Sequence, residues 1–397
     1  MLRLRSLDRF DIRRMVHEIR LDSSNADRSK IIAHCNELWE KSFWGGCNND
    51  ILIKDYQNNG LLTINRPKTL NTLTPGICKI INETLQKWNH NKKLIMIEGS
   101  GDKAFCSGGY LKMPLAYQYM KLENYDWQKT KTFQEYYSIS YKIATLKVPF
   151  IALMNNLTMG LGSAISLQAK YRIVTERSIY AMPEVLIGYF PDATSCYTFP
   201  RLRNHIGYFL GVTGYRLKGI DIIHSGIATH FVPSEKLEDL KNELLKSDAS
   251  NIEEIISKYH VNTSSNNFSL NQYIDIIENC FSAPTIEEIL ERLKKDNSNW
   301  SKKIIETMNA ASPTSLKLAL HIIQIGKNLD LADCSRMDCR MGHRVLIPDS
   351  DIYEGISVAL YERDRKPRWN PARLEDVPMN KIAYYLDKLS PEKELKL

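Results

Sequence analysis

The sequence predicts a layered α/β core followed by a helical region. Three observations carry this. Short apolar, partly β-branched runs recur at residues 60–65, 94–98, 148–154 and 171–175. Stretches of helical length separate the first three of them, which is the pattern of βαβ units. Beyond about residue 245 the strand signals fade and apolar residues recur at helical spacing.

The elements follow in order. Residues 1–48 read as an extension. Five arginines interleave with apolar residues between Met1 and Arg14, as in an amphipathic mitochondrial targeting segment. Asp8 and Asp11 depart from the acid-poor composition of such segments, and an ordinary surface helix is the alternative. A short helix is expected over 29–43, ended by Gly45 and Gly46. After the 60–65 strand, Arg66-Pro67-Lys68 breaks the run. Ile77, Ile80, Ile81, Leu85 and Trp88 then mark an amphipathic helix over 75–90. Residues 117–146 are rich in Tyr, Lys and Glu. Glu135 there reads as a solvated position on a helix face. Residues 247–251 read as a linker between a 49–245 core and a 246–397 helical region. Helices are expected over 252–259, 270–280, 286–295, 300–311, 315–326 and 329–345. Ser312-Pro313 marks a helix start, and one last short helix follows the basic turn 366–371.

Composition narrows the classes. The 397 residues are 43% hydrophobic and 25% charged, with no apolar run near the roughly 20 residues that span a bilayer, so no membrane partner is expected. The formal charge of +7 is dispersed, which suits an anionic ligand without selecting one. Eight cysteines form no Cys-x-x-Cys pair and read as reduced thiols. Cys334, Cys339 and His343 do not share a helix face well, so no metal site is expected.

Chemistry concentrates in 181–194. Glu184 and Asp192 sit in an apolar segment broken by Pro183, Gly188 and Pro191, and a buried carboxylate is costly unless paired or used. Glu184 is the candidate acid, base or nucleophile; Asp192 is the candidate grip on a polar substrate group. A turn cap and a turn start are the plain alternatives. Two glycine turns follow strands, at 99–110 and 159–167, and present backbone N–H groups suited to an anion or a developing oxyanion. Close helix–strand packing would explain either turn alone.

These segments together resemble the crotonase (enoyl-CoA hydratase/isomerase) superfamily, in particular its hydrolase branch. The matching stretches are 63–74, 103–109, 158–160, 181–184, 188–192, 210–219, 226–232, 312–317, 353–355 and 367–371. The resemblance implies a crotonase-like spiral of ββα turns with a helical C-terminal region, and no resident cofactor. It implies a CoA thioester lying across the glycine turns, with its oxygen held by the N–H groups of Ser107 and Leu161 beside Gly108 and Gly160. Glu184 matches the catalytic glutamate, and either attacks the carbonyl or activates water. Asp192 and Glu135 match acids that contact the acyl part, where Asp192 would hold a 3-hydroxyl. Lys68 and Lys103 are candidates for the CoA phosphates. The implied activity is hydrolysis of 3-hydroxyisobutyryl-CoA in the mitochondrial matrix, with a homo-oligomer as a further possibility. Relatives recruited into the small subunit of the mitochondrial ribosome offer a second, non-catalytic reading. Hydration is a third, opposed by Ala164 where hydratases carry a second glutamate.

Three departures bear on the site. Tyr110 stands in place of an acid, Leu161 in place of the middle glycine of the second turn, and Ser195-Cys196 in place of a glycine run. Glycine serves where φ is positive or a ligand approaches closely, so Leu161 raises the prospect of an obstructed thioester site.

Overall fold

The computed structural model describes residues 44, 49–111, 113–114, 125–262, 268–347 and 350–397. The targeting segment and the 29–43 helix expected from the sequence lie outside the described residues.

Two sheets form the core. The larger takes β1 (Ile51–Asp55), β2 (Asn59–Ile64), β3 (Leu94–Gly99), β5 (Phe150–Leu153), β7 (Tyr171–Val174) and β10 (His230–Phe231), in that spatial order. Only the β1–β2 pair in it is antiparallel. The smaller sheet takes β4 (Ala104–Cys106), β6 (Leu157–Met159), β8 (Ile179–Ala181) and β9 (Leu217–Lys218). Chain order alternates between them: β3 to β4, β5 to β6, β7 to β8. Helices Tyr125–Ala144 and Leu161–Ala164 return the chain after the first two pairs. This is the expected ββα spiral.

The period-2 geometry of strands divides the apolar residues of the large sheet between two layers. Leu62, Ile95, Ile97 and Ala152 face the main core, with Ile77, Ile81 and Leu85 of the helix Pro75–Trp88. Leu61, Met96, Ile151 and Ile173 face the opposite side. There Leu240 and Leu244 from Leu237–Lys246 and Ile252, Ile255 and Ile256 from Ile252–Tyr259 cover them. The sequence pattern did not single out the helix Leu237–Lys246. The stretch read as a linker is anchored: Asn59 Nδ2 shares its two hydrogens among the carbonyls of Leu244 (3.1 Å), Leu245 (3.1 Å) and Ser247 (2.8 Å).

The four large-sheet strands expected from the sequence are all present. The small sheet is not legible, because its strands are only two or three residues long. The C-terminal region is helical as expected, through Ile274–Phe281, Ile286–Asp296, Asn299–Ala310, Pro313–Gly326 and Leu331–Val345. Ser312 caps its helix as read, its hydroxyl accepting from the Ser315 N–H at 3.1 Å with Pro313 in the first turn. Among the described residues no helix is long and apolar enough to cross a membrane.

Replacing Asn59 with alanine takes the side-chain donor from the Leu245 and Ser247 carbonyls across the β2–helix seam. Asn59→Ala is expected to lower unfolding free energy by about 2 kcal/mol. Urea denaturation measures it, and a loss under about 0.5 kcal/mol would show the seam is held by apolar contact alone.

Candidate active site

The small sheet sets two glycine turns side by side. The first follows β4. Gly108 takes φ +112°, and the turn is stitched to the neighbouring chain by Leu73 N–H to Gly108 O (2.9 Å) and Tyr110 N–H to Leu73 O (3.1 Å). The second follows β6, where Gly160 takes φ +49° and opens the helix Leu161–Ala164. The turns approach so closely that a Cβ on Gly108 would lie 3.3 Å from Met159 O and 3.6 Å from the Leu161 nitrogen. Glycine is required here by both φ and contact.

Leu161 itself is the first residue of a right-handed helix. The left-handed position belongs to Gly160, so leucine at 161 carries no backbone strain. Its side chain is buried in the cavity wall; a Cβ on Gly109 would sit 3.9 Å from Leu161 Cδ2. Its N–H is a helix-start donor with no intrahelical acceptor to meet.

The partner donor differs from the one expected. Ser107 lines the cavity, but its N–H already donates to Leu70 O at 3.0 Å. Ser107 is therefore corrected as an oxyanion donor. Gly109 also lines the cavity, and its N–H has no acceptor among the described residues. Leu161 lines the same cavity, and its N–H likewise has no acceptor among the described residues.

Glu184 begins the 3-10 turn Glu184–Ile187, which Gly188 ends at φ +74°. It is 7% exposed and lines a cavity of about 240 Å³. One carboxyl oxygen lies 3.0 Å from where a Cβ on Gly160 would stand, directly under the second turn, and the other, Oε2, is buried with no protein partner. Asp192 is 8% exposed in the same cavity. Its Oδ2 accepts from the Tyr137 hydroxyl at 3.1 Å, and Tyr137 in turn meets the Tyr189 hydroxyl at 2.8 Å. Burial raises the Glu184 carboxyl well above the usual range, and the neighbouring Asp192 charge adds to this. Burial also pushes Asp192 up, to about 7, against the lowering effect of the Tyr137 hydrogen bond. No lysine or arginine pairs with either acid among the described residues.

The remaining expected residues divide. Gly108 and Gly160 line the cavity. Glu135 does not: it turns to the helix Pro75–Trp88, where its Oε2 accepts from Asn82 Nδ2 at 2.8 Å, and its neighbour Tyr136 lines the cavity instead. The acyl contact expected of Glu135 is thus corrected by helix phase, since adjacent residues on a helix point about 100° apart. Lys68 and Lys103 are exposed and share a separate cavity with Pro67, Ser100 and Asp102. Tyr110 packs half-buried at the cavity rim, with the Arg66 guanidinium 5.5 Å from its ring centre. Tyr137 and Tyr189 were missed. Tyrosines at helical spacing read as core, and only their convergence on Asp192 marks them.

Alternating ββ turns across two sheets, with paired glycine turns above a buried carboxylate, define a crotonase-fold protein. A family model described as enoyl-CoA hydratase/isomerase matches residues 59–386. The chain belongs to that family. The proteins named 3-hydroxyisobutyryl-CoA hydrolase, mitochondrial, from Gallus gallus and Homo sapiens are 38% and 37% identical to it, each covering 83% of this chain and 86% of the relative. The Danio rerio protein of that name is 35% identical over 94% of this chain and 98% of its own length. A carnitinyl-CoA dehydratase structure from Mycobacterium thermoresistibile superposes with TM-score 0.80 at 25% identity, over 88% of this chain and 99% of that one. An enoyl-CoA hydratase from Rhodobacter sphaeroides 2.4.1 gives 0.79 at 28%, over 88% and 100%.

Both site acids hold protons in the folded protein at a pH where the unfolded chain has lost them. Their contribution to stability is therefore present below the ordinary carboxylate range and is lost as pH rises toward about 7 and beyond. Asp192→Asn should flatten that decline. Denaturant unfolding of both proteins at about pH 5 and about pH 7.5 reads it, and equal slopes would refute the raised carboxyl.

Proposed function

We propose that this chain hydrolyses an acyl-CoA thioester, 3-hydroxyisobutyryl-CoA, to 3-hydroxyisobutyrate and CoA in valine degradation. The name shared by the three relatives supports this substrate and a mitochondrial setting; the matrix is the proposed compartment. The observation that carries the chemistry is the free Glu184 oxygen, buried in the cavity that both glycine turns line.

The thioester oxygen accepts from Gly109 and Leu161. Glu184 removes a proton from water as the water oxygen bonds to the carbonyl carbon. The carbonyl electron pair moves onto oxygen, where two fixed donors stabilise it by several kcal/mol. Collapse of the tetrahedral species breaks the carbon–sulfur bond, and the proton held by Glu184 passes to the departing thiolate. A carboxyl raised by burial is a stronger base than an ordinary one, which suits this role. Asp192, oriented by Tyr137, accepts from the 3-hydroxyl of the acyl group, and the CoA phosphates run toward Lys68 and Lys103. No observation favours the ribosomal reading: Leu161 leaves the second turn unstrained and its N–H available.

Glu184→Gln is nearly isosteric and is expected to keep the fold and reduce thiol release from 3-hydroxyisobutyryl-CoA by about 10³-fold or more. Turnover near the original rate would remove Glu184 from the mechanism. In the unaltered protein kcat/KM should rise with pH through a value above the ordinary carboxylate range, because the base must be ionised.

Asp192→Asn should act on selectivity. Its expected effect is a fall of about tenfold or more in preference for 3-hydroxyisobutyryl-CoA over isobutyryl-CoA, as for a site that loses a charged acceptor to a substrate hydroxyl. Competition kinetics with the two thioesters measures the ratio. An unchanged ratio would assign Asp192 elsewhere.

A further inference from the structure

A third buried acid lies behind the first two. Asp338, on the helix Leu331–Val345, is fully buried, and the chemistry above does not use it. Its Oδ2 accepts from the Thr194 N–H at 2.7 Å, and its Oδ1 faces the Cys196 thiol at 3.6 Å. The segment it holds begins at Asp192. The Ser195 N–H closes a turn onto the Asp192 carbonyl at 3.0 Å, and both residues inside that turn are left-handed: Ala193 at φ +57° and Thr194 at φ +60°. Turns of this kind ordinarily take Gly, Asn or Asp at those places. For a β-branched residue the conformation is an outlier. It persists only where the surroundings over-determine it, and such strain gathers at functional sites.

Side-chain and backbone bonds hold Thr194, whose carbonyl accepts from the Tyr197 N–H at 3.0 Å and the Thr198 N–H at 3.1 Å. Its hydroxyl donates to Ala193 O at 2.6 Å and accepts from Gln168 Nε2 at 3.1 Å, and its N–H is taken by Asp338. The two hydroxyl bonds constrain the side chain. The carbonyl bonds tie the backbone to the short helix that follows, and the bond to Asp338 is the one that ties it to the C-terminal helical region. We infer that Asp338 is a positioning residue: its carboxyl pins the strained 193–194 turn from the C-terminal helical region and so sets where Asp192 meets the acyl group. This rests on the reading of Asp192 as the hydroxyl-binding acid.

The test compares kcat/KM for 3-hydroxyisobutyryl-CoA over isobutyryl-CoA in four variants. Asp338→Ala should lower the ratio about tenfold, toward the value of Asp192→Asn. Asp338→Asn keeps an oxygen for the Thr194 N–H and should stay within about threefold of the unaltered protein. Thr194→Gly added to Asp338→Ala should recover most of the ratio, since glycine takes a positive φ unaided. An unchanged ratio in Asp338→Ala, or a loss that neither asparagine nor glycine lessens, would overturn the inference. If Asp192→Asn itself leaves the ratio unchanged, the reading of Asp192 fails, and urea unfolding then decides the hold separately. Thr194→Gly should stabilise Asp338→Ala more than it stabilises the unaltered protein, and equal effects would refute the hold. Should Asp338→Ala not fold, Asp338→Ser, with a hydroxyl too short for Thr194, takes its place in both arms.

Discussion

Glu184 and Asp192 are buried together with no cation beside them among the described residues, and the rest of the site answers to that cost. Glu184 and Asp192 each lose hydration, and the Asp192 charge disfavours ionisation of Glu184. Isolated burial of this kind costs several kcal/mol per ion and is sustained only by surrounding structure. Here that structure is specific: the Tyr137 hydroxyl on Asp192, the Asp338 carboxyl on the following turn, and the glycine turn against Glu184. Glu184 Oε2 is left without a protein partner at the centre of the arrangement.

The spiral supplies this surrounding from distant parts of the chain. Each β-pair places one strand in each sheet, so the turns after β4 and β6 emerge as neighbours although about fifty residues separate them. Parallel pairing of β4, β6 and β8 aligns the ends of those strands. The two glycine turns and the Glu184 segment after β8 therefore meet at one edge of the small sheet. A site assembled at strand ends from successive turns tolerates side-chain change in its walls, which is how Leu161 and Tyr110 are accommodated.

The C-terminal helices are part of the site. Leu346 and Ile352 complete the cavity wall, and Asp338 braces the acid-bearing turn from behind. The close contact of Gly188 with the Asp351 backbone, and of Gly355 with the Ile187 backbone, locks the Glu184 segment against the same region. The helical region is therefore joined to the core through its most functional loop.

Much of this was legible in the residues. The four long strands, the helix Pro75–Trp88 and the C-terminal helices follow from apolar periodicity, a local property. Glu184, Asp192 and the glycine turns stand out because charge and glycine are costly in an apolar segment. The two- and three-residue strands of the small sheet carry too little pattern to read. The phase of a helix decided that Tyr136 and not Glu135 lines the cavity, and a single backbone bond to Leu70 takes up the Ser107 N–H. Tyr137 and Asp338 look like ordinary helix positions in sequence. Only packing brings them within hydrogen-bond reach of a turn 55 and 144 residues away. Residue chemistry dictates which groups are expensive to bury; packing dictates which partners offset that cost, because hydrogen bonds depend on distance in space and not on separation along the chain.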